Sequence, residues 1–487
     1  MGQPLLIGVD AGSTSVKAVL FDKRGSILGE AYRETPVNTD GEHITFPVRK
    51  LTDAALNTIA DVVRQKQPAD FVAGIAFASV GESFVLFDET GDPLDDIIAW
   101  YDRRAADEAD EIAAAIGNEN LLSITGLEKD PIYSLCKLLW LRRNQPELLA
   151  RARGMAFVAD WLAFCVSGER ATDMSLASRS LLAAPMTGKW APEMLGGFDI
   201  EEAFLPKIVP AGTSLGPPTP WAQERLGLTE RCIVSVGGHD HILSSIAAGA
   251  ASPELLVDSA GTAEAILRTG PSLVTAWPEG TLEFAQGGIW WAGLPKPIIY
   301  LIGAMFDSGG ALSRFRSGTC PELSWDQLIA QAAHAPPVTA RFDAQLGQGR
   351  EADPAAWSAA VLSGSDDVGA QFRALLEGLA LDSRLLCDRL TEHAGLPPVQ
   401  EIRLVGGLAK NQLYATLKAA AFNKPIRVAE FPEFTALGAA MAAGIGAEVY
   451  GSLDDALETV HVEWRECLPD PTLVASAQSL LAARPAN

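Results

Sequence analysis

Asp240 sits between two of the chain's six histidines in the string GGHDHIL, residues 237–243. A carboxylate there can take a proton from a hydroxyl as a general base. His239 and His241 are two residues apart, so on an extended strand they share one face while Asp240 points the other way. That is a candidate metal site built from His239, Asp240 and His241, as in a metal-dependent hydrolase. Yet no HExxH-like run completes a shell, and His43, His334, His393 and His461 are scattered.

A second set faces phosphate chemistry. In GVDAGSTSVKA an apolar run ends in Asp10, and Gly12, Ser13, Thr14 and Lys17 follow. A carboxylate for a hydrated magnesium ion, turn donors for phosphate oxygens and a cation are thereby offered together. No GxxxxGK[ST] string occurs, so any phosphate rests in a hairpin cradle rather than in a Walker-type loop. DSAGTAE repeats the donors with Gly261 and Thr262. In VGGLAKNQL, Gly406 and Gly407 are expected to end a strand and open a helix, exposing free N–H groups to an anion. In SGGALSRF, Gly309 and Gly310 stand at an expected helix start that lets backbone approach a nucleotide closely. Each string alone is an ordinary turn; the four together point to a nucleotide.

A third set suits a polyhydroxylated ligand. Glu82, Trp100 and Asp102 lie on connections beside strand-like runs, and a carboxylate pair with an indole face can hydrogen-bond and stack on such a molecule. Arg103 and Arg104 read as helix-leading charges, with Arg104 expected in solvent.

The elements that position these groups follow from periodicity. Apolar runs at residues 5–9 and 16–21, then SILGEAY after the turn DKRG, form a three-stranded meander. ELLVDSAGTAEAILRTG repeats the plan, with Val257-Asp258 over Val9-Asp10, so duplicated domains are expected. IVPAGTSLGPPTPWAQERLG reads as surface connection, and GGHDH falls at a strand-to-helix junction after it. VGAQFRALLEGLALDSRLLCDRL is helical, EIRLVGG a short strand, and TALGAAMAAGIGA a small-residue helix able to pack closely on a neighbour or a flat ligand. The class is α/β in both halves, with domains over 1–243 and 244–487.

At 487 residues, with 48% hydrophobic and 20% charged, the chain should fold throughout. A net charge of −23 disfavours nucleic acid and anionic membrane surfaces as partners. Scattered cysteines, no signal peptide and no long apolar span predict a cytoplasmic protein.

Taken in order and at their separations, GVDAGSTSVKAVLFD, the W-x-D-x-R from Trp100, SVGGHDH, DSAGTAE, SGGALSRF, GGLAKNQL and EFTALGAAMAAG resemble the FGGY carbohydrate kinases, over residues 5–446. The resemblance implies two actin-like, ribonuclease-H-like domains with ATP and a sugar meeting in the cleft between them. It implies Asp240 as catalytic base and Asp10 as the carboxylate serving magnesium and phosphates, with Gly12, Ser13, Thr14 and Lys17 beside it. Gly261 and Thr262 become phosphate contacts, and Gly309 and Gly310 residues near phosphate and ribose. Gly406, Gly407 and Asn411 become nucleotide contacts, the last two on adenosine. Gly81, Glu82, Trp100, Asp102 and His241 become the sugar site, and His239 a structural neighbour of the base. The implied reaction is phosphorylation of a hydroxyl, expected to be a primary one, of a pentulose, hexulose or related polyol; a homodimer follows by analogy. An actin- or chaperone-like ATPase switch would share the phosphate hairpins without needing Trp100, Asp102 and Asp240. This chain has Gly81-Glu82 where xylulokinases tend to have Met-His and glycerol kinases Arg-Glu, and His241 where the family often has Asn or Gln. The departures gather in the implied sugar site.

Overall fold

The computed structural model describes residues 2–276, 284–305, 308–336, 341–342 and 362–483. The strand Pro4–Ala11 is apolar on both faces and lies centrally in a five-stranded sheet. Ser15–Phe21 and then Ile27–Glu34 extend the sheet antiparallel on one side. Phe71–Ser79 and then Ile233–His239 extend it parallel on the other. A central strand buried on both faces needs a helix on each, which its near-continuous apolar sequence anticipates. The edge strand Ile27–Glu34 is at most half-buried along its whole length.

The second half repeats this plan in a seven-stranded sheet. Leu255–Ala260 pairs antiparallel with Glu264–Gly270, which pairs with Ile298–Met305. On its other side Leu255–Ala260 pairs parallel with Glu401–Val405, and that strand with Ile426–Ala429. The hairpin that turns at residues 12–14 and the one that turns at 261–263 thus occupy equivalent places.

The small-residue helix Phe434–Gly446 packs against a protein neighbour, the sheet of the first half. A Cβ on Gly8 would lie 1.7 Å from the Ala436 carbonyl oxygen, and one on Gly74 would lie 2.5 Å from that of Ala443. Helix and sheet therefore meet backbone to backbone. The helix buries Leu437, Met441 and Ile445, each worth about 1.5–3 kcal/mol. The expected boundary at 243/244 falls inside the helix Asp240–Ala247, which lies against the same helix; a Cβ on Gly438 would be 2.2 Å from the Leu243 carbonyl oxygen.

Two expectations change. The stretch read as surface connection is tied in: Gly212 N–H donates to the Val236 carbonyl, Ala211 bridges to Trp291, and Pro220–Leu226 is a helix capped by Thr219. After Glu401–Val405 the chain makes a 3-10 turn, Gly407–Lys410, before the helix Gln412–Phe422, so Gly407 does not open that helix. Asn411 does, as its cap: its side-chain oxygen accepts from the Tyr414 N–H at 3.2 Å, which satisfies a donor the first turn leaves free. Among the described residues no helix is long and apolar enough to cross a membrane.

Candidate active site

Asp240 begins its helix directly after the strand Ile233–His239. The strand end is built to pass through tight space. A Cβ on Gly237 would be 1.8 Å from the Phe77 carbonyl oxygen, and one on Gly238 would be 2.7 Å from Ser175 Oγ and 3.0 Å from the Asp173 carboxyl. His239 N–H donates to Ser175 Oγ at 2.9 Å, so the residue before the base is fixed from behind. Asp240 Oδ1 accepts from the His241 N–H at 2.6 Å. Burial raises the Asp240 pKa and Glu82 adds to the rise, against the opposing pull of His241 and Arg179. A carboxylate pushed upward holds a proton more readily than a solvated one, as a base for an alcohol requires.

The two histidines do not converge. His239 is buried, its ring 5.8 Å from that of His241 with 28° between planes, and its Nδ1 lies 3.5 Å from Asp240 Oδ1 without a hydrogen bond. Burial, then His241 and Arg179, hold its pKa well below 6.5, so it stays neutral beside the base. His241 is exposed. Among the described residues no group of three His, Cys, Asp or Glu side chains is arranged to hold a metal ion.

Behind the base lies a shelf of acids. Asp173 caps the helix Met174–Ala177 through the Ser175 and Leu176 N–H groups, and Asp160 lies near it. Burial first, and then Asp173, raise the Asp160 pKa well above 3.8. The folded chain therefore keeps that proton where the unfolded chain loses it, and stability falls as pH rises above about 3.8 toward the folded pKa. Asp160→Asn removes this dependence. Its melting temperature relative to the parent should climb between pH 4 and pH 8; a constant difference across melts in that range would contradict the assignment.

The sugar-side residues assemble around Glu82, which is buried and has a left-handed backbone, φ 59°. A non-glycine residue there stores strain that its surroundings must hold. Ser134 Oγ at 3.0 Å and Lys137 Nζ at 3.3 Å both donate to the Glu82 carbonyl. Lys137 is fully buried and also donates to the carbonyls of Trp100 at 3.4 Å and Ile132 at 2.7 Å, so it ties the Glu82 and Trp100 segments together. Burial lowers its pKa to about 8. The Glu82 carboxylate meets Arg179, from Nε at 2.6 Å and Nη2 at 2.5 Å. A Cβ on Gly81 would be 2.6 Å from His239 Cδ2, which explains a glycine beside this acid. Trp100 Nε1–H donates to Ser13 Oγ at 2.8 Å, joining its segment to the first hairpin.

Asp102 is used otherwise. Its carboxylate accepts from the Ile44 N–H at 2.6 Å and from Arg104 at Nε, 2.8 Å, and Nη2, 2.7 Å, and these partners hold its pKa down despite burial. Arg104 is correspondingly buried, its guanidinium 5.0 Å from the centre of the Trp140 ring. The expectation that Arg104 is solvated is wrong: Asp102, two residues before it, turns it inward. Arg103 is the exposed one, 3.6 Å from Asp130.

At the phosphate side, Asp10 Oδ1 is buried and has no hydrogen-bond partner. Burial, Asp240 and Glu433 push the Asp10 pKa up to about 8, with Lys17 opposing. Lys17 Nζ contacts Glu433 at 2.7 Å, so a residue of the second half reaches the first hairpin. Gly12 N–H donates to the Ser15 carbonyl at 3.0 Å, closing the turn, and Thr14 is exposed at its tip.

The second hairpin gathers the glycine motifs. Gly309 N–H donates to the Gly261 carbonyl at 3.0 Å and Gly310 N–H to that of Thr262 at 2.9 Å. The four residues meet, but these N–H groups brace the hairpin and are not free for an anion. Thr262 is exposed. Gly406, φ 94°, approaches from the other side; a Cβ there would be 2.5 Å from the Ala260 carbonyl oxygen. Gly406→Ala should cost about 1–3 kcal/mol of stability and raise the KM for ATP; a melt and a nucleotide titration matching the parent would contradict this. Gly407 would place a Cβ in open space. Beneath the hairpin, Lys418 is enclosed with Asp258 and Glu264, and Tyr414 Oη donates to Glu264 at 2.5 Å. Asp258, the counterpart of Asp10, is therefore spent on a buried ion pair.

Sequence reasoning missed Arg179, Lys137, Glu433 and Lys418. Arg179, Lys137 and Lys418 each left a signal, a single charge inside a small or apolar run, MSLASRSLL, YSLCKLLWL and ATLKAAAF, and Glu433 stands at the start of one, EFTALGAAM.

Two repeated α/β halves, each built on a strand–turn–strand hairpin, frame a carboxylate at a strand end whose pKa burial raises. Residues 5–247 match the model of the FGGY family of carbohydrate kinases, N-terminal domain, and residues 297–447 that of its C-terminal domain. The chain belongs to the FGGY family, whose members are ATP-dependent sugar phosphotransferases. It is 28% identical to L-fuculokinase of Escherichia coli strain K12 over 477 residues, covering 96% of this chain and 98% of that one. It is 24% identical to xylulose kinase of Lactococcus lactis over 493 residues, covering 98% and 94%. Among solved structures, gluconate kinase from Lactobacillus acidophilus superposes with a TM-score of 0.86 at 21% identity, covering 99% of this chain and 96% of that one. Glycerol kinase from Plasmodium falciparum with ADP gives 0.85 at 22%, covering 99% and 97%. These likenesses establish the two-domain fold.

Proposed function

We propose that this carbohydrate kinase transfers the γ-phosphoryl group of ATP to a primary hydroxyl of a ketose, a pentulose or hexulose, or of a related polyol, with Asp240 as general base. The observation that carries this reading is the Asp240 carboxylate itself: it is raised in pKa at a rigid strand end, within electrostatic reach of Glu82 on the sugar side and Asp10 on the phosphate side. The sugar hydroxyl donates its proton to Asp240 as its oxygen bonds to the γ-phosphorus, and the bond to the β-phosphate oxygen breaks with its electrons leaving on ADP. Glu82 and Trp100 orient the sugar, and the exposed His241 lies where a second hydroxyl can reach it. Asp102 shapes this segment through Arg104 rather than by a free carboxylate.

Gly261 and Thr262 face the phosphates, braced by Gly309 and Gly310, while Gly407 leaves room for adenosine beside Asn411. Asp10 fits a magnesium ion, because its buried Oδ1 lacks a partner and its carboxylate is crowded by two others. When bound, the ion neutralises charge on the ATP phosphates. Ser13 and Thr14 hold the hairpin that presents Asp10, and Lys17 links it to Glu433.

The test is ADP release with ATP and magnesium across pentuloses, hexuloses, tetruloses and alditols, ranked by kcat/KM, with phosphorus NMR of the product. A ketose phosphorylated on a primary carbon is expected at the head of the ranking. Phosphate on a secondary carbon, or no ADP release with any ketose or alditol of the panel, would overturn the reading.

A further inference from the structure

We propose that Arg179 determines sugar specificity, fixing Glu82 and occupying, with His239, the volume that a side chain at position 81 would fill. The inference rests on the kinase reading above and names a residue that reading does not use.

Space comes first. The Cβ that Gly81 lacks would stand 2.6 Å from His239 Cδ2, 2.9 Å from its Nε2 and 3.3 Å from Arg179 Cγ. The site therefore has no room for a long residue at 81, and its guanidinium arrives from the 3-10 turn Ser178–Ser180 on the opposite wall. Arg179 packs its guanidinium 5.2 Å from the centre of the Tyr133 ring, which limits its freedom.

Geometry comes second. Nε and Nη2 of Arg179 both meet Glu82 Oε1, leaving Oε2 as the acceptor for a sugar hydroxyl. The left-handed backbone of Glu82, with its carbonyl held by Ser134 and Lys137, fixes where that oxygen stands. Arg179 is also within electrostatic reach of Asp240 and, from the second half's sheet, of Tyr300. One side chain thus lies between the sugar-binding acid and the base.

Chemistry comes third. A buried ion pair is often no more stable than an apolar filling of its space, so it adds little net stability of its own. Here the pair is neutral as a whole and presents a single fixed carboxylate oxygen, which suits an uncharged polyol hydroxyl.

The experiment compares the parent with Arg179→Lys, Arg179→Gln and the double variant Arg179→Gln/Glu82→Gln on the best ketose of the panel and on its epimers. KM and kcat are read for sugar and ATP, together with melting temperature. Arg179→Gln should lower kcat/KM for the sugar about 10- to 100-fold, through KM, and flatten the preference among epimers, with KM for ATP unchanged. Arg179→Lys should recover part of the loss. The double variant, which buries no unpaired charge, should recover melting temperature but not sugar KM. A folded Arg179→Gln with parental KM and epimer ranking, or a double variant that regains both melting temperature and KM, would overturn the proposal. Should Arg179→Gln fail to fold, Arg179→Lys decides: parental sugar KM and epimer ranking in that variant would overturn the proposal. A parent that releases no ADP with any sugar would refute the kinase reading itself, a result distinct from all of these.

Discussion

Asp240→Asn should lower turnover about 10²- to 10⁴-fold, the range of a lost general base, while ATP affinity stays nearly unchanged. The substitution keeps the shape of the side chain, and its amide oxygen can still accept the His241 N–H. What it removes is the carboxylate proposed to receive the hydroxyl proton. The nucleotide motifs around Gly261 and Gly406 are untouched, so binding and catalysis separate cleanly. Initial rates with equilibrium nucleotide titration would check this, and a variant with near-parental turnover would sink the assignment of the base.

Lys418→Met should be the most damaging substitution away from the cleft. Lys418, Asp258 and Glu264 are fully enclosed, and the lysine pKa rises against its own burial because two carboxylates hold it. Removing one member of a buried pair leaves uncompensated charge and costs about 3–5 kcal/mol. The cost has a sign with pH. Burial, and then Glu264, push Asp258 up to about 7, well above its unfolded value of 3.8. Its contribution to stability is therefore lost as pH rises through that window. Without the lysine, which opposes the rise, the Asp258 carboxylate resists ionisation more strongly, so the variant should lose more melting temperature at pH 8 than at pH 6. Because Glu264 holds the second hairpin, KM for ATP should rise as well. Melts at both pH values that match the parent would refute the role given to this cluster.

Much of this architecture is legible in the sequence because the pattern is local. A strand that is apolar on both faces, a small-residue turn and a second strand can be read from residues 5–21 and again from 255–270, and the structure pairs them as expected. Gly237 and Gly238 likewise announce a tight strand end, and Phe77 and Asp173 are the neighbours that demand it. What the sequence hides is partnership over long separations. Nothing near Asp102 says that one of its oxygens goes to Ile44, 58 residues earlier, and nothing near Glu82 names Arg179, 97 residues later. The two local misreadings have local causes: Asp102 draws Arg104 inward from two residues away, and a 3-10 turn at Gly407–Lys410 intervenes before the helix. Charge types and turn residues are visible in one dimension; which carboxylate is spent on a neighbour and which is left for a ligand is decided by packing.

The most direct test of the account is the rate of ADP formation by the parent enzyme, with and without the best sugar of the panel, alongside the sugar phosphate formed. A kinase whose base serves a sugar hydroxyl should release one ADP per sugar phosphate and should hydrolyse ATP at least about 100-fold more slowly when sugar is withheld, since water is a poor match for the positioned hydroxyl. ADP released at the same rate without sugar, or in excess of sugar phosphate, would contradict the account and point to a nucleotide-driven switch instead.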